Sequence, residues 1–263
     1  MEARAIFIDM DGTLLTTSNE ISQRNMEAVY KLINQGVKVF LATGRQYEIT
    51  APYHSALGLQ TPMICLNGAA IHDGLSGKPI LTRPIILDED HFHQLTAKET
   101  CNNILIHTTE GLYCRRISTE VDEWTREGGV PPRYIGDLKE ADYRDVLKYS
   151  IRTGTKSLEL SRRFKDKGHV IDWEDGFEIV APGVSKWSAI KRLLQVYGID
   201  KKEAVAIGDG PNDIQMLQNA GTGVAMANAL PTVKAYADFV TNHHQKDGLA
   251  EFIEHYLINS FAV

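Results

Sequence analysis

The stretch FIDMDGTLL, residues 7–15, governs how the rest of the chain is read. It closes an apolar run, residues 4–9 (RAIFID), on a carboxylate, sets a second carboxylate two positions on at Asp11, and turns at Gly12. Open α/β sheets bind ligands outside the carboxyl ends of their strands, so a buried strand that ends in acid and breaks at once into a DG turn points to such a rim. Taken alone, Asp9 and Asp11 can also be read as a pair of turn acids. What decides between the two is whether other strands deliver matching chemistry.

Working outward, Ser22 can cap a helix over residues 22–35 that carries Met26, Val29 and Ile33 at helical spacing and stops at Gly36. The run VKVFLAT (37–43) is continuous and β-branched, as in a strand covered on both faces. A short helix over 47–57 and a third strand at PMICLN (62–67) follow. Near the other end, residues 186–197 place Trp187, Ile190, Leu193, Leu194 and Tyr197 on one helical face before Gly198. EAVAIGDG (203–210) is a buried strand running into Asp209, Pro211 suits the first turn of a helix, GTGVAM (221–226) is another strand, and a helix from about Asp247 ends the chain.

The middle is different. ILIHTT (104–109), GLYCRRI (111–117) and HVIDWEDGFEIV (169–180) read as half-buried strands, mixed with helices over 88–101, 118–127 and 155–167. The expected fold is therefore α/β, a doubly wound and mostly parallel sheet built from residues 1–84 and 184–263, with an inserted α+β domain at 85–183.

Composition narrows the function. The 263 residues carry a formal net charge of −6, which leaves no basic surplus for nucleic acid. The three cysteines have no CxxC spacing, so neither a disulfide framework nor a zinc site is expected. The amino terminus enters a strand directly rather than a signal peptide, and no apolar run is long enough to span a bilayer. A soluble cytoplasmic protein, without membrane or obligate protein partner, is the expectation.

Three strand ends thus share one rim: Asp9 and Asp11; Thr43, Gly44 and Arg45; and Asp209 with Asn212 and Asp213 just beyond. Lys186 precedes the helix leading into the last of these. Carboxylates gathered in one cleft repel each other by several kcal/mol, about 4 for a pair ~4 Å apart at an effective dielectric near 20, unless a cation sits among them. An all-oxygen donor set without histidine or thiolate favours Mg²⁺ over zinc. Lys186 adds the further positive charge that makes a dianionic phosphate tolerable.

FIDMDGTLL (7–15), LATGR (41–45), VSK (184–186) and GDGPND (208–213), in this order, resemble the four motifs of the haloacid dehalogenase superfamily, and NGAAI (67–71) with FEIVAPGVSK (177–186) resembles its Cof-type phosphatases. The resemblance covers both core segments, while the middle matches by position and size as a large cap. It implies a Rossmann-like core and a phosphoric monoester hydrolase that forms an aspartyl-phosphate. By similarity Asp9 is the nucleophile and Asp11 the general acid and base, with crowding by Asp9 favouring the protonated form that the first step needs. Thr43 and the Gly44 amide, with Arg45, resemble the phosphate-binding group, and Lys186 the charge partner of nucleophile and phosphate. Asp209 resembles the metal ligand, together with Asp9 and the backbone carbonyl of Asp11. Asn212 resembles a phosphate contact, and Asp213 a residue that orients the metal site from behind. The family commonly has glycine where this chain has Trp187, which either packs under the cap hinge or lines the substrate entrance.

The substrate this implies is a small phosphorylated metabolite: a sugar phosphate, a phosphorylated cofactor or a nucleotide. Two other functions use the same residues, a sugar phosphomutase of the same superfamily and a phospho-ligand sensor without turnover. GTG at 221–223 lacks the third glycine of a dinucleotide fingerprint. The pairs His91/His93 and His243/His244 read as solvent-facing rather than as ligands, Arg115 and Arg116 as cap-strand surface, and Asn67 and Glu178 as residues beside the two hinges.

Overall fold

A computed structural model describes residues 3–98 and 101–258. The chain starts β1 (Ala5–Ile8), α1 (Gln23–Asn34), β2 (Lys38–Leu41), α2 (Tyr47–Ala56), β3 (Met63–Cys65), β4 (Ala70–His72) and β5 (Pro79–Thr82). The inserted segment supplies α3 (Glu89–Lys98), β6 (Asn103–Thr108), β7 (Gly111–Cys114), α4 (Thr119–Gly128), β8 (Tyr134–Ile135), β9 (Val146–Arg152), α5 (Leu158–Arg162), β10 (His169–Trp173) and β11 (Gly176–Val180). The core resumes with α6 (Lys186–Tyr197), β12 (Ala204–Gly208), α7 (Ile214–Asn219), β13 (Thr222–Ala225), α8 (Pro231–Lys234), β14 (Phe239–Val240) and α9 (Gly248–Phe252).

The main sheet is parallel, in the order β14-β13-β12-β1-β2. Alternation along β1 explains why helices cover both of its faces. Ile6 and Ile8 pack with Ala28, Val29 and Leu32 of α1 and with α9, while Ala5 and Phe7 pack with Trp187, Ile190 and Leu193 of α6. Each of the larger side chains, such as Ile6, Phe7 and Ile8, stabilises the fold by about 1.5–3 kcal/mol through burial. The Ser22 hydroxyl caps α1, and α6 starts with a Ser185–Ser188 capping box and ends at left-handed Gly198. The chain leaves β1 for β2 on one side and returns to β12 on the other, so the order reverses beside β1, which is where such sheets take ligands.

The inserted segment forms a six-stranded sheet, β10-β11-β9-β6-β7-β8, antiparallel except for the β7–β8 pair. Phe92, Tyr149, Phe164 and Phe177 centre its apolar side, and the same cluster runs on to Met63, Leu66 and Ala70 of the core. The α/β core therefore carries an α+β cap seated on it through continuous packing.

Some expected elements differ. PMICLN is not a full strand of the main sheet: β3 touches it by a single bridge, Ala42 to Ile64, and pairs instead with β4 and β5. The cause lies in Leu66 and Asn67, whose positive φ angles of 50° and 57° turn the chain back at once. Residues 169–180 are a hairpin, β10–β11, rather than one strand, and only Leu158–Arg162 of 155–167 is an α-helix. The strand expected over 111–117 stops at Cys114, leaving Arg115 and Arg116 beyond it. The helix expected over 88–101 crosses residues 99–100, and the one expected to end the chain reaches past 258, so those parts of the expectation lie outside the described residues. Among the described residues no helix is long and apolar enough to cross a membrane.

Candidate active site

Asp9 follows β1 directly, and its backbone N–H donates to the Ile207 carbonyl at 3.0 Å, so the ends of β1 and β12 are pinned side by side. The chain then turns through Gly12 at φ 71°; a Cβ there would run into the Asp209 carboxylate, so only glycine lets the two loops meet. Under them lies Lys186 at the first turn of α6, completely buried, its ammonium donating to Asp9 Oδ1 at 2.5 Å and Asp213 Oδ1 at 2.6 Å. The second oxygen of Asp213 accepts the backbone N–H groups of Asp209 and Gly210 at 3.0 and 2.9 Å. Asp213 is thus engaged on both oxygens, bracing the Asp209–Gly210 loop against Lys186.

Asp209 accepts from the Thr13 hydroxyl at 3.3 Å and from Asn228 Nδ2 at 2.9 Å, and Asn228 also donates to the Gly12 carbonyl at 2.8 Å. Carboxylate oxygens of Asp9, Asp209 and Asp213 all lie within 4.8 Å of one another. Burial and the facing Asp213 push Asp9 well above the ordinary carboxylate range despite Lys186, and push Asp209 up to about 7. Burial pulls Lys186 down, but the two carboxylates it touches outweigh this and hold it above the usual lysine value. One ammonium among three carboxylates leaves an excess of negative charge. Hard oxygens with that excess fit a divalent cation of the Mg²⁺ kind.

Asp11 stands apart. Its side chain is 57% exposed and receives Arg45 Nε at 3.1 and 3.0 Å and Nη2 at 2.6 Å. Arg45 also donates Nη1 to Glu127 of the cap at 2.5 Å and Nη2 to Asn19 at 3.1 Å. One expectation changes: the guanidinium read as a phosphate ligand is committed to Asp11 and Glu127. Thr43 is buried behind the rim, with its hydroxyl accepting the Arg45 N–H at 3.0 Å, whereas Gly44 lies on the cavity wall. Asn212 is on the wall too, donating to Asn67 at 2.9 Å.

These groups open into one cavity of about 430 Å³. Its floor holds Asp9, Asp11, Gly44, Arg45, Asp209 and Asn212. Its roof comes from the cap: Glu120, Trp124, Lys148, Arg152, Trp173, Asp175 and Glu178. Lys148, also buried, donates to Glu178 at 2.7 Å and across to the Gly44 carbonyl at 2.8 Å. Glu178 accepts Asn67 at 2.8 Å, which closes a hydrogen-bonded chain from the Gly44 loop through the cap to Asn212. Burial alone would raise Glu178; Lys148, Arg152 and the hydrogen bonds from Lys148 and Asn67 hold it down to about 2. The sequence places Asn67 and Glu178 beside the hinges but does not single out Lys148, Arg152 or Asn228. The alternation Lys148, Ser150, Arg152 against Tyr149 and Ile151 was the available signal for a polar strand face turned to a ligand.

Other residues fall elsewhere. Trp187 is in the apolar cluster under the main sheet with Phe7 and Ile190, not at the substrate entrance. Arg115 and Arg116 do not line the cavity. His93 and His244 are buried rather than solvent-facing, bonded to Tyr143 at 3.1 Å and to the Leu15 carbonyl at 2.8 Å.

A capped α/β fold with an acidic, lysine-buttressed site at its topological switch point defines an enzyme class built to handle phosphate beside a divalent cation. The chain belongs to the haloacid dehalogenase-like hydrolases, whose family pattern matches residues 6–253. It is 30% identical to the pyridoxal phosphate phosphatase YbhA of Escherichia coli, over 98% of this chain and 100% of that one. It is 28% identical to the 5-amino-6-(5-phospho-D-ribitylamino)uracil phosphatase YitU of Bacillus subtilis, over 95% and 96%. The solved structure of the superfamily phosphatase BT1666 from Bacteroides thetaiotaomicron superposes with a TM-score of 0.79 at 26% identity, covering 97% of this chain and 96% of that one. Within the family the chain is a phosphoric monoester hydrolase of the Cof type.

Proposed function

We propose that this chain hydrolyses small phosphorylated metabolites in two steps through a phosphoryl group carried on Asp9. A free oxygen of Asp9 attacks phosphorus, the bond to the ester oxygen breaks, and Asp11 gives that oxygen its proton. Water then attacks the phosphoryl-aspartate while Asp11 takes its proton, and the bond to Asp9 breaks to release inorganic phosphate. Lys186 offsets charge on Asp9 throughout and keeps it pointed at the cavity. The Gly44 amide and Asn212 bind phosphate oxygens, with Thr43 shaping the loop behind them. Mg²⁺, held by Asp9, Asp209 and the Asp11 backbone carbonyl with Asp213 behind, would neutralise the clustered carboxylates and draw charge from the phosphoryl oxygens. Residues 85–183 act as the cap that excludes water and receives the leaving group.

The observation that carries this reading is Lys186 bridging Asp9 and Asp213 under one cavity that also holds Asp11 and Asp209. Relatives that act on pyridoxal phosphate and on a phosphoribityl-uracil support a small phosphate ester of an alcohol as substrate. The test is a panel of sugar phosphates, phosphorylated cofactors and nucleotides, assayed for free phosphate with and without Mg²⁺. Release that needs Mg²⁺, needs no bisphosphate activator and vanishes in Asp9→Asn is the expected result. Full activity in Asp9→Asn contradicts the assignment.

A further inference from the structure

The roof of the cavity takes no part in the bond changes above, and its charge and shape restrict which leaving group fits. Its two cations are already answered. Lys148 is paired with Glu178 at 2.7 Å, and Arg152 with Glu120 at 2.7 Å and with Asp175 at 3.8 Å. Two cations therefore face three carboxylates, so the charged groups of the roof sum to a net negative charge. Two of its other members are Trp124 on α4 and Trp173 at the end of β10, each only partly covered by protein. Indole faces bordering one cavity offer flat apolar surface to a ring. Arg152 Nη1 and Trp173 Nε1 are buried without hydrogen-bond partners, so neither is open to an atom in the cavity.

We infer that the roof selects phosphate monoesters whose leaving group is an uncharged alcohol bearing a flat ring, and turns away those with a second anionic group. This rests on the phosphatase reading above and adds the substrate class to it. The residues that set it are Trp124 and Trp173 for the ring, and Glu120 and Asp175, which cancel the charge of Arg152, for the exclusion of anions.

Two matched pairs of esters test it on the full chain with Mg²⁺: uridine against orotidine 5′-monophosphate, and glycerol 3-phosphate against 3-phosphoglycerate. Each pair differs by a carboxylate. The uncharged member is expected to be about tenfold or more better in kcat/KM, the scale of a like-charge mismatch. Glu120→Gln frees the charge of Arg152 and raises kcat/KM for the carboxylated members. Trp124→Ala and Trp173→Ala each lower uridine monophosphate by about tenfold more than glycerol 3-phosphate, the scale of one lost stacking contact. Trp173 also packs on the Gly210 loop, where its ring lies 3.2 Å from a would-be Cβ, so Trp173→Phe serves as the control that keeps a flat face and restores the ring preference. Equal or better use of the carboxylated esters overturns the anion exclusion, and equal losses for both uncharged esters overturn the ring site. Phosphate release from none of the four, nor from any other monoester, sinks the phosphatase reading itself.

Discussion

Lys186 and Lys148 are both shut away from water, one under the strand ends of the core and the other in the cap, yet they keep different company. Lys186 touches Asp9 and Asp213 and has Asp209 close by, so its surroundings hold more negative charge than it can cancel. Lys148 touches one carboxylate, Glu178, and spends the rest of its donors on the Gly44 carbonyl. A surplus of charge invites a cation and a phosphate, while a balanced pair holds two parts of the chain in place. On the function proposed above, chemistry belongs to the first lysine and cap placement to the second.

The sharpest way to break that contrast is to remove each charge. Lys186→Met is expected to lower kcat by about a thousandfold, the scale of losing an electrostatic group at the reacting centre; a steady-state assay that found only a few-fold loss would erase the distinction. Next in size, Lys148→Met strands a buried Glu178 carboxylate and should destabilise the protein by about 3–5 kcal/mol. The double variant Lys148→Met with Glu178→Leu should recover much of that in urea unfolding, because no charge is left unpaired. Metal sharpens the contrast from the other side. Mg²⁺ at a hundred times its Kd should stabilise the protein by about 2.7 kcal/mol, and this thermal shift should vanish in Asp209→Asn but persist in the cap double variant. The smallest effect is in acid. Glu178 is held down to about 2, so its pairing contributes fully above the ordinary carboxylate value and is lost as pH falls toward 2. Tryptophan fluorescence should follow a loss of stability between about pH 4 and pH 2, and Glu178→Gln should flatten it.

The core floor was legible because each of its residues sits where an apolar run stops. Asp9, Thr43-Gly44-Arg45 and Asp209 follow buried strands, and parallel strands all deliver their carboxyl ends to one rim. The roof was not legible because its partners meet through register. Glu178 reaches Lys148 only because β11 pairs with β9 so that Glu178 lies opposite Ser150, and no local pattern states that register. Arg152 finds Glu120 on a helix from a different part of the cap, and Arg45 finds Glu127 there. The commitment of Arg45 was hidden for the same reason. Strand β3 was misread because an apolar run does not reveal that its last residues take positive φ.

In the proposed mechanism phosphorus passes through the side chain at the end of β1. Asp11→Asn, which keeps the nucleophile but can neither protonate a leaving oxygen nor activate water, should be mixed with phosphate-labelled p-nitrophenyl phosphate, whose leaving group needs no proton, and Mg²⁺, quenched in acid and digested. Label on the peptide containing Asp9, absent when Asp9→Asn is added, is the predicted result. Turnover by wild-type protein with label on no residue, or on a different one, would contradict it.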